Sequence, residues 1–126
     1  MKAENIKFKA KRLDGKGWAI GDLLHSKENG AIIVPIEGGG TFSVDPSTVC
    51  QFTGENDMNF NEIYIGDIIS NLETGSIIEV TWNERLKGLN CKFLNADKGL
   101  EVPFGIIVSR YKRIVIVGNK FDKKKK

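Results

Sequence analysis

His25 is the only histidine, so any Ser-His-Asp or Cys-His relay would have to run through it. It closes a strand-like stretch, where an exposed strand-end position is the simpler reading. Cys50 and Cys91 lie far apart in apolar runs. Together with His25 they fall short of a zinc ligand set, and they read as two buried thiols. Asp57-x-Asn59-x-Asn61 has the opening spacing of a calcium loop. The sixth position is Glu62 where glycine is needed, and the twelfth is Ile68 where a bidentate carboxylate is needed. The stretch therefore reads as a polar turn. Gly38-Gly39-Gly40 lacks the Lys-Ser/Thr of a phosphate loop, and no G-x-G-x-x-G occurs. Asp22 and Asp67 each follow a glycine. They could be a catalytic carboxylate pair, but accepting backbone N–H groups at a bend accounts for both. The sequence thus offers no catalytic, metal-binding or cofactor-binding residue. It predicts neither an enzyme nor a small-molecule substrate.

Two groups of residues remain as contact candidates. One is basic and aromatic: Trp82, Arg85, Lys87 and Lys92 with Phe93, then Arg110, Tyr111, Lys112 and Arg113. Cations interleaved with aromatics suit nucleic-acid backbones and bases. The other is the acidic loop Glu55–Glu62, with Asp57, Phe60 and Glu62 as its contact residues. The charges are segregated along the chain. Residues 51–84 carry seven acidic residues and no Lys or Arg, while residues 85–126 carry twelve basic and three acidic ones. Such blocks must meet opposite charge, within the fold or in a partner. The expectation is a homo-oligomer joined through opposite patches, with nucleic acid as the alternative partner.

The elements that must position these residues are strands. At 126 residues the chain fits one domain or two small lobes, and 14 glycines against 3 prolines suit an all-β chain with many tight turns. In Ile6–Arg12, Ile6, Phe8 and Ala10 alternate with Lys7, Lys9 and Lys11, the period of a half-buried strand. Three outward lysines read as the guard of an edge strand. Further strands are predicted over 18–25, 31–36, 41–44, 48–52, 65–71, 77–82 and 91–94. Leu100–Val108 reads as extended, and Arg113–Val117 as the clearest buried strand. Short helices fit only at Pro46–Cys50 and Asn83–Lys87. The closing lysine run reads as a solvated, disordered end. The charged start lacks the apolar centre of a signal peptide, and no apolar run nears the ~18 residues of a membrane helix. A cytoplasmic protein with no membrane partner is expected.

Trp18–Val34 aligns without gaps on Ile63–Glu79 at an offset of 45 residues. Ile20-Gly21-Asp22 matches Ile65-Gly66-Asp67, Gly30 matches Gly75, and Ile32-Ile33 matches Ile77-Ile78. The predicted fold is therefore mainly β, with two related small SH3-like barrel or half-barrel units packed together and little helix. The first unit covers residues 1–54, an acidic connecting loop 55–62, the second unit 63–119 and a Lys-rich tail 120–126.

Val44–Gly54 (VDPSTVCQFTG) and Asp57–Ile69 (DMNFNEIYIGDII) resemble the signature of the YopX family of phage and prophage proteins, VDP-x-TV-x-QFTGL-x-DKNGKEIYEGDIV. KFKAKRLDGKGWAIGDLL near the start and RIVIVGNKFD near the end resemble that family's opening and closing patterns. Phe60 stands where the family's turn usually has glycine, Cys50 where glycine is common and Ile65 where an acidic residue is common. The resemblance implies a mainly β protein of bacteria or their phages. The family has no established activity, so no residue role is carried over.

Overall fold

Eleven strands and one helix make up the computed structural model, which describes residues 2–28, 30–36, 38–96 and 99–122. The strands are β1 (Phe8–Lys11), β2 (Trp18–Ser26), β3 (Gly30–Val34), β4 (Phe42–Val44), β5 (Cys50–Asn56), β6 (Glu62–Tyr64), β7 (Asp67–Asn71), β8 (Ile77–Asn83), β9 (Gly88–Phe93), β10 (Glu101–Pro103) and β11 (Ile114–Asn119). The helix α1 (Phe104–Arg110) lies between β10 and β11. The fold is mainly β, in two open antiparallel sheets with strand orders β4-β3-β2-β1-β5-β6 and β10-β9-β8-β7-β11. The chain divides into two compact units, Met1–Phe52 and Thr53–Lys126, so β5 passes from one into the other. Glu55 and Asn56, expected in a connecting loop, belong to that strand.

In the first unit the buried core is small: Ala10, Ala19, Ala31, Ile33 and Val44, with Phe8, Leu23, Phe42 and Val49 packed against it. β2 changes partner along its length. Its first half pairs with β1 through Gly21↔Phe8, and its second half pairs with β3 from Asp22↔Val34 onward. At the change-over a side chain on Gly21 would run into the Val34 carbonyl oxygen and lie 2.8 Å from the Pro35 Cα. The lysine stripe is not an edge guard, because β1 lies between β2 and β5. The ammonium groups instead lie over rings, Lys7 over Phe52 and Lys9 over Trp18, each at 4.8 Å. Flat aromatic faces attract cations, so the stripe is held by its own neighbours.

The second unit has the larger core: Ile63, Ile69, Ile78, Val80, Cys91, Phe104, Ile107 and Ile114. Two expectations are corrected here. Phe104–Val108 is helical rather than extended, because Phe104 and Ile107, three apart, both reach this core. Seven residues rich in β-branched side chains are too few to show the helical period. Arg113–Val117 is not a buried strand either. β11 is an edge of its sheet, with Ile114 buried and Val117 57% exposed. Of the two short helices expected, Pro46–Thr48 forms a 3-10 turn capped by Asp45, while Asn83 ends β8 and Glu84–Lys87 is a hairpin turn. The lysine run at 123–126 lies outside the described residues.

Gly66-Asp67 also sits at a change of partner, since the chain leaves β6 and enters β7 there. Two aligned pairs nevertheless differ in burial. Leu24 is 53% exposed whereas Ile69 is fully buried, and Asp22 is exposed whereas Asp67 is fully buried. The hairpins differ by one position: Leu23 faces Ile33, but Ile68 faces Glu79. This change of register gives the aligned β2 and β7 positions different surroundings, while the aligned Ile33 and Ile78 are buried in both units. Only Asp67 therefore closes a buried bend, accepting from the Tyr64 N–H at 2.7 Å and from the Asn119 side-chain amide at 2.9 Å. Replacing it strands two buried donors. Asp67→Ala should cost about 2–3 kcal/mol in urea unfolding, while Asp22→Ala stays within about 0.5 kcal/mol of the parent. Equal effects of the two would contradict this difference.

Candidate functional site

The loop between β5 and β6 is built on one carboxylate. Asp57 is buried, and one of its oxygens accepts the N–H groups of Asn59 and Asn61, both at 2.9 Å. The other oxygen accepts the N–H of Ile116 in β11 at 3.0 Å. Backbone bonds complete the loop: Asp57 N–H to Asn61 O, Phe60 N–H to Asp57 O, and Met58 N–H to Ile114 O. The calcium-like spacing is thus an Asx-type clasp. Its positive partners are peptide N–H groups of its own loop and of β11. Burial pushes the Asp57 carboxyl up, but these N–H donors together outweigh it and hold the group below the ordinary carboxylate value.

At the tip stands Phe60, with φ +65° and 86% exposed. The turn stays tight although the residue has a side chain. A left-handed conformation costs an L-residue roughly 1–2 kcal/mol. Glu62, at the far end of the loop, is half-buried and accepts from the Tyr64 hydroxyl at 3.1 Å. Burial first, and the Glu62 charge second, push that hydroxyl well above the ordinary tyrosine value.

Beside the loop is a cleft of ≈ 140 Å³. Asn56, Met58 and Ile63 line it from the loop side, and Val108 of α1, Tyr111 and Ile114 of β11 from the other. Glu55, Asp57 and Lys112 also line it, two carboxylates against one ammonium. The run Arg110–Arg113 is fixed through its backbone. Tyr111 N–H closes α1 on Ile107 O, and the Glu73 carboxylate accepts the N–H groups of Lys112 (2.8 Å) and Arg113 (3.3 Å). The side chains of Arg110, Lys112 and Arg113 are exposed and make no ion pair with a described residue.

The remaining basic and aromatic candidates lie elsewhere. Trp82, 46% exposed, faces Leu89 at the far end of β8. Arg85 and Lys87 are in the hairpin turn that follows, and Lys87 pairs with Glu84 at 2.9 Å. Arg113 sits at the opposite end of β8, since Leu72 bonds its carbonyl and Ser70 faces Ile77. Strand rise puts these two groups roughly 15–20 Å apart. Lys92 faces Glu79 on one side and Glu101 on the other. The structure thus brings Asp57, Tyr111 and Lys112 together at the cleft, leaves Phe60 and Glu62 outside its lining, and places Trp82, Arg85, Lys87 and Lys92 elsewhere. Sequence reasoning missed Glu73, Met58 and Val108, whose roles depend on contacts between distant parts of the chain.

The other chemistry-bearing residues are placed plainly. His25 is exposed on β2. Cys50 and Cys91 are buried thiols, Cys50 donating to the Thr48 carbonyl at 3.3 Å, and burial pushes the Cys91 thiol up to about 12. Among the described residues, no cluster of three or more His, Cys, Asp or Glu could hold a metal, and no helix is long and apolar enough to cross a membrane. No family model and no curated protein matches the chain.

The lowered Asp57 value links the loop to pH. A carboxyl that ionises more readily when folded adds stability above about pH 4, and that stability is lost as pH falls through the lowered value. Asp57→Asn offers an NH₂ group where an acceptor is needed. It should cost about 1–3 kcal/mol at pH 7, and the gap to the parent should shrink below about pH 4. Urea unfolding at pH 7 and pH 3 measures both; a gap that does not change with pH would show that the charge on Asp57 is not what holds the loop.

Proposed function

We propose that this chain is a non-catalytic binding module of phage or mobile-element type that assembles with copies of itself. The observation that carries this is Phe60. It is a large apolar side chain held out, 86% exposed, in a left-handed conformation by a clasped loop. Large exposed apolar groups on fixed supports mark contact surfaces. Opposite charge supplies the second half. The loop 55–62 carries Glu55, Asp57 and Glu62 with no basic residue, and the run 110–113 carries Arg110, Lys112 and Arg113 with no acidic one. No cofactor or small-molecule substrate enters this reading, and its setting is the cytoplasm. The phage or prophage origin rests on the YopX-like stretches Val44–Gly54 and Asp57–Ile69. We also read the two units as relatives, each an SH3-like barrel or half-barrel. Gly21-Asp22 and Gly66-Asp67, each at a change of strand partner, support that reading.

Light scattering coupled to size exclusion should show a closed oligomer at low salt that weakens at high salt. A monomer under both conditions overturns the proposal.

A second reading, a nucleic-acid-binding module, is favoured by one feature: Arg110, Tyr111, Lys112 and Arg113 are contiguous, and their cations have no ion pair among the described residues. It requires that a labelled single-stranded DNA bind with an affinity that falls steeply with salt, and that neutralising Arg110, Lys112 and Arg113 weaken binding and flatten the salt slope. Fluorescence anisotropy decides it. No binding at low salt, or binding lost when only the terminal lysines are removed, eliminates this reading.

A further inference from the structure

We propose that the outer face of β1 and β2, in the first unit, binds single-stranded nucleic acid, with Lys9 and Lys11 on the phosphates and Trp18 and Ile20 against the bases. This goes beyond the self-association reading, and it uses other residues than Arg110–Arg113. In β1 the strand period buries Ala10 and turns Lys9 and Lys11 to the other face. In β2 it buries Ala19 and turns Trp18 and Ile20 to that same outer face. The register sets Lys11 opposite Trp18 and Lys9 opposite Ile20. A row of cations thus runs along one strand, and a row of apolar side chains runs beside it on the next, about 4.8 Å away.

The indole holds the cations in place. The ammonium groups of Lys9 and Lys11 lie over the Trp18 ring, at 4.8 and 5.6 Å from its centre. Lysines fixed in this way lose less freedom when they meet an anion. Charge then selects the occupant. Lys11 makes no ion pair with a described residue. Lys16, exposed in the turn that joins the two strands, adds a cation at the same end. The two strands together contain one acid, Asp22, which lies beyond Ile20 and away from Lys11. A chain of repeating negative charge suits the cation row. Trp18 is half-buried and Ile20 is 47% exposed, and both offer a platform on which unpaired bases can lie. An acidic peptide would answer the lysines and leave that platform without a flat partner.

Trp18 can report the contact directly. The chain has two tryptophans, Trp18 and Trp82, so in the full chain carrying Trp82→Phe all indole emission comes from Trp18. A labelled oligothymidylate should bind at low salt and quench that emission in step with the rise in its anisotropy. Lys9→Gln combined with Lys11→Gln should weaken binding by about tenfold or more and flatten the slope of log K against log salt by about 1.4. Thermal melting checks that this double variant is folded, and the Trp18 quench decides the matter without it. Binding that leaves Trp18 unquenched, or a salt slope that a folded double variant leaves unchanged, overturns the inference and leaves the Arg110–Arg113 reading standing. Polyglutamate that binds as tightly at the same salt overturns nucleic acid as the occupant. No oligothymidylate binding at low salt overturns this inference and that reading together.

Discussion

The Asp57 carboxylate accepts the N–H groups of Asn59, Asn61 and Ile116, and the candidate site depends on that one set of bonds. Charge-assisted bonds to backbone N–H are about twice as strong as neutral ones. Two of them shape the loop that presents Phe60. The third fastens the loop to β11, the strand that follows the Arg110–Arg113 run. Together with the Met58 N–H on Ile114 O, it also occupies the outer side of β11. An open edge strand invites pairing with another chain. Here the part of the edge from Ile114 to Ile116 is already bonded, so assembly by strand addition is blocked along it and side chains must make any contact.

The charge blocks of the second unit resolve unevenly. Glu84 pairs with Lys87, and Glu79 and Glu101 flank Lys92. These are exposed or half-exposed arrangements, and such pairs contribute about 0–1 kcal/mol each. Glu73 does more, because its carboxylate takes two backbone N–H groups and sets where the chain enters β11. It does so without neutralising the side chains of Lys112 and Arg113. The acidic segment therefore fixes the backbone of the basic run while leaving its cations exposed. Internal pairing accounts for Lys87, Lys92 only faces Glu79 and Glu101 across the ladder, and no pairing accounts for Arg110, Lys112 and Arg113.

Much of the fold was legible wherever a local rule decides the structure. The alternation in Ile6–Arg12 marks β1, and Asp45-Pro46 marks a 3-10 turn. The failed calcium positions at Glu62 and Ile68 correctly read Asp57–Asn61 as a turn. What stayed hidden was non-local. The lysine stripe looked like an edge because the sequence cannot show that β5 returns to cover β1. The helix α1 was invisible because only two of its seven residues are fully buried. The sequence repeat was visible, but a one-position change in hairpin register gave Asp22 and Asp67 different surroundings. The cleft could not be found at all, since Met58 and Val108 lie 50 positions apart.

Frame and contact are separable in this loop, and that separation is what makes Phe60 informative. The clasp uses the carboxylate of Asp57 and main-chain groups of Asn59, Phe60 and Asn61, none of which depends on the side chain at position 60. The backbone there requires φ near +65°, for which glycine is the unstrained choice. A phenylalanine adds strain, adds exposed apolar area and contributes nothing to the bonds that shape the turn. Folding alone therefore selects against it. A residue that the fold does not need, held rigidly where solvent disfavours it, is what supports the proposed contact with another molecule.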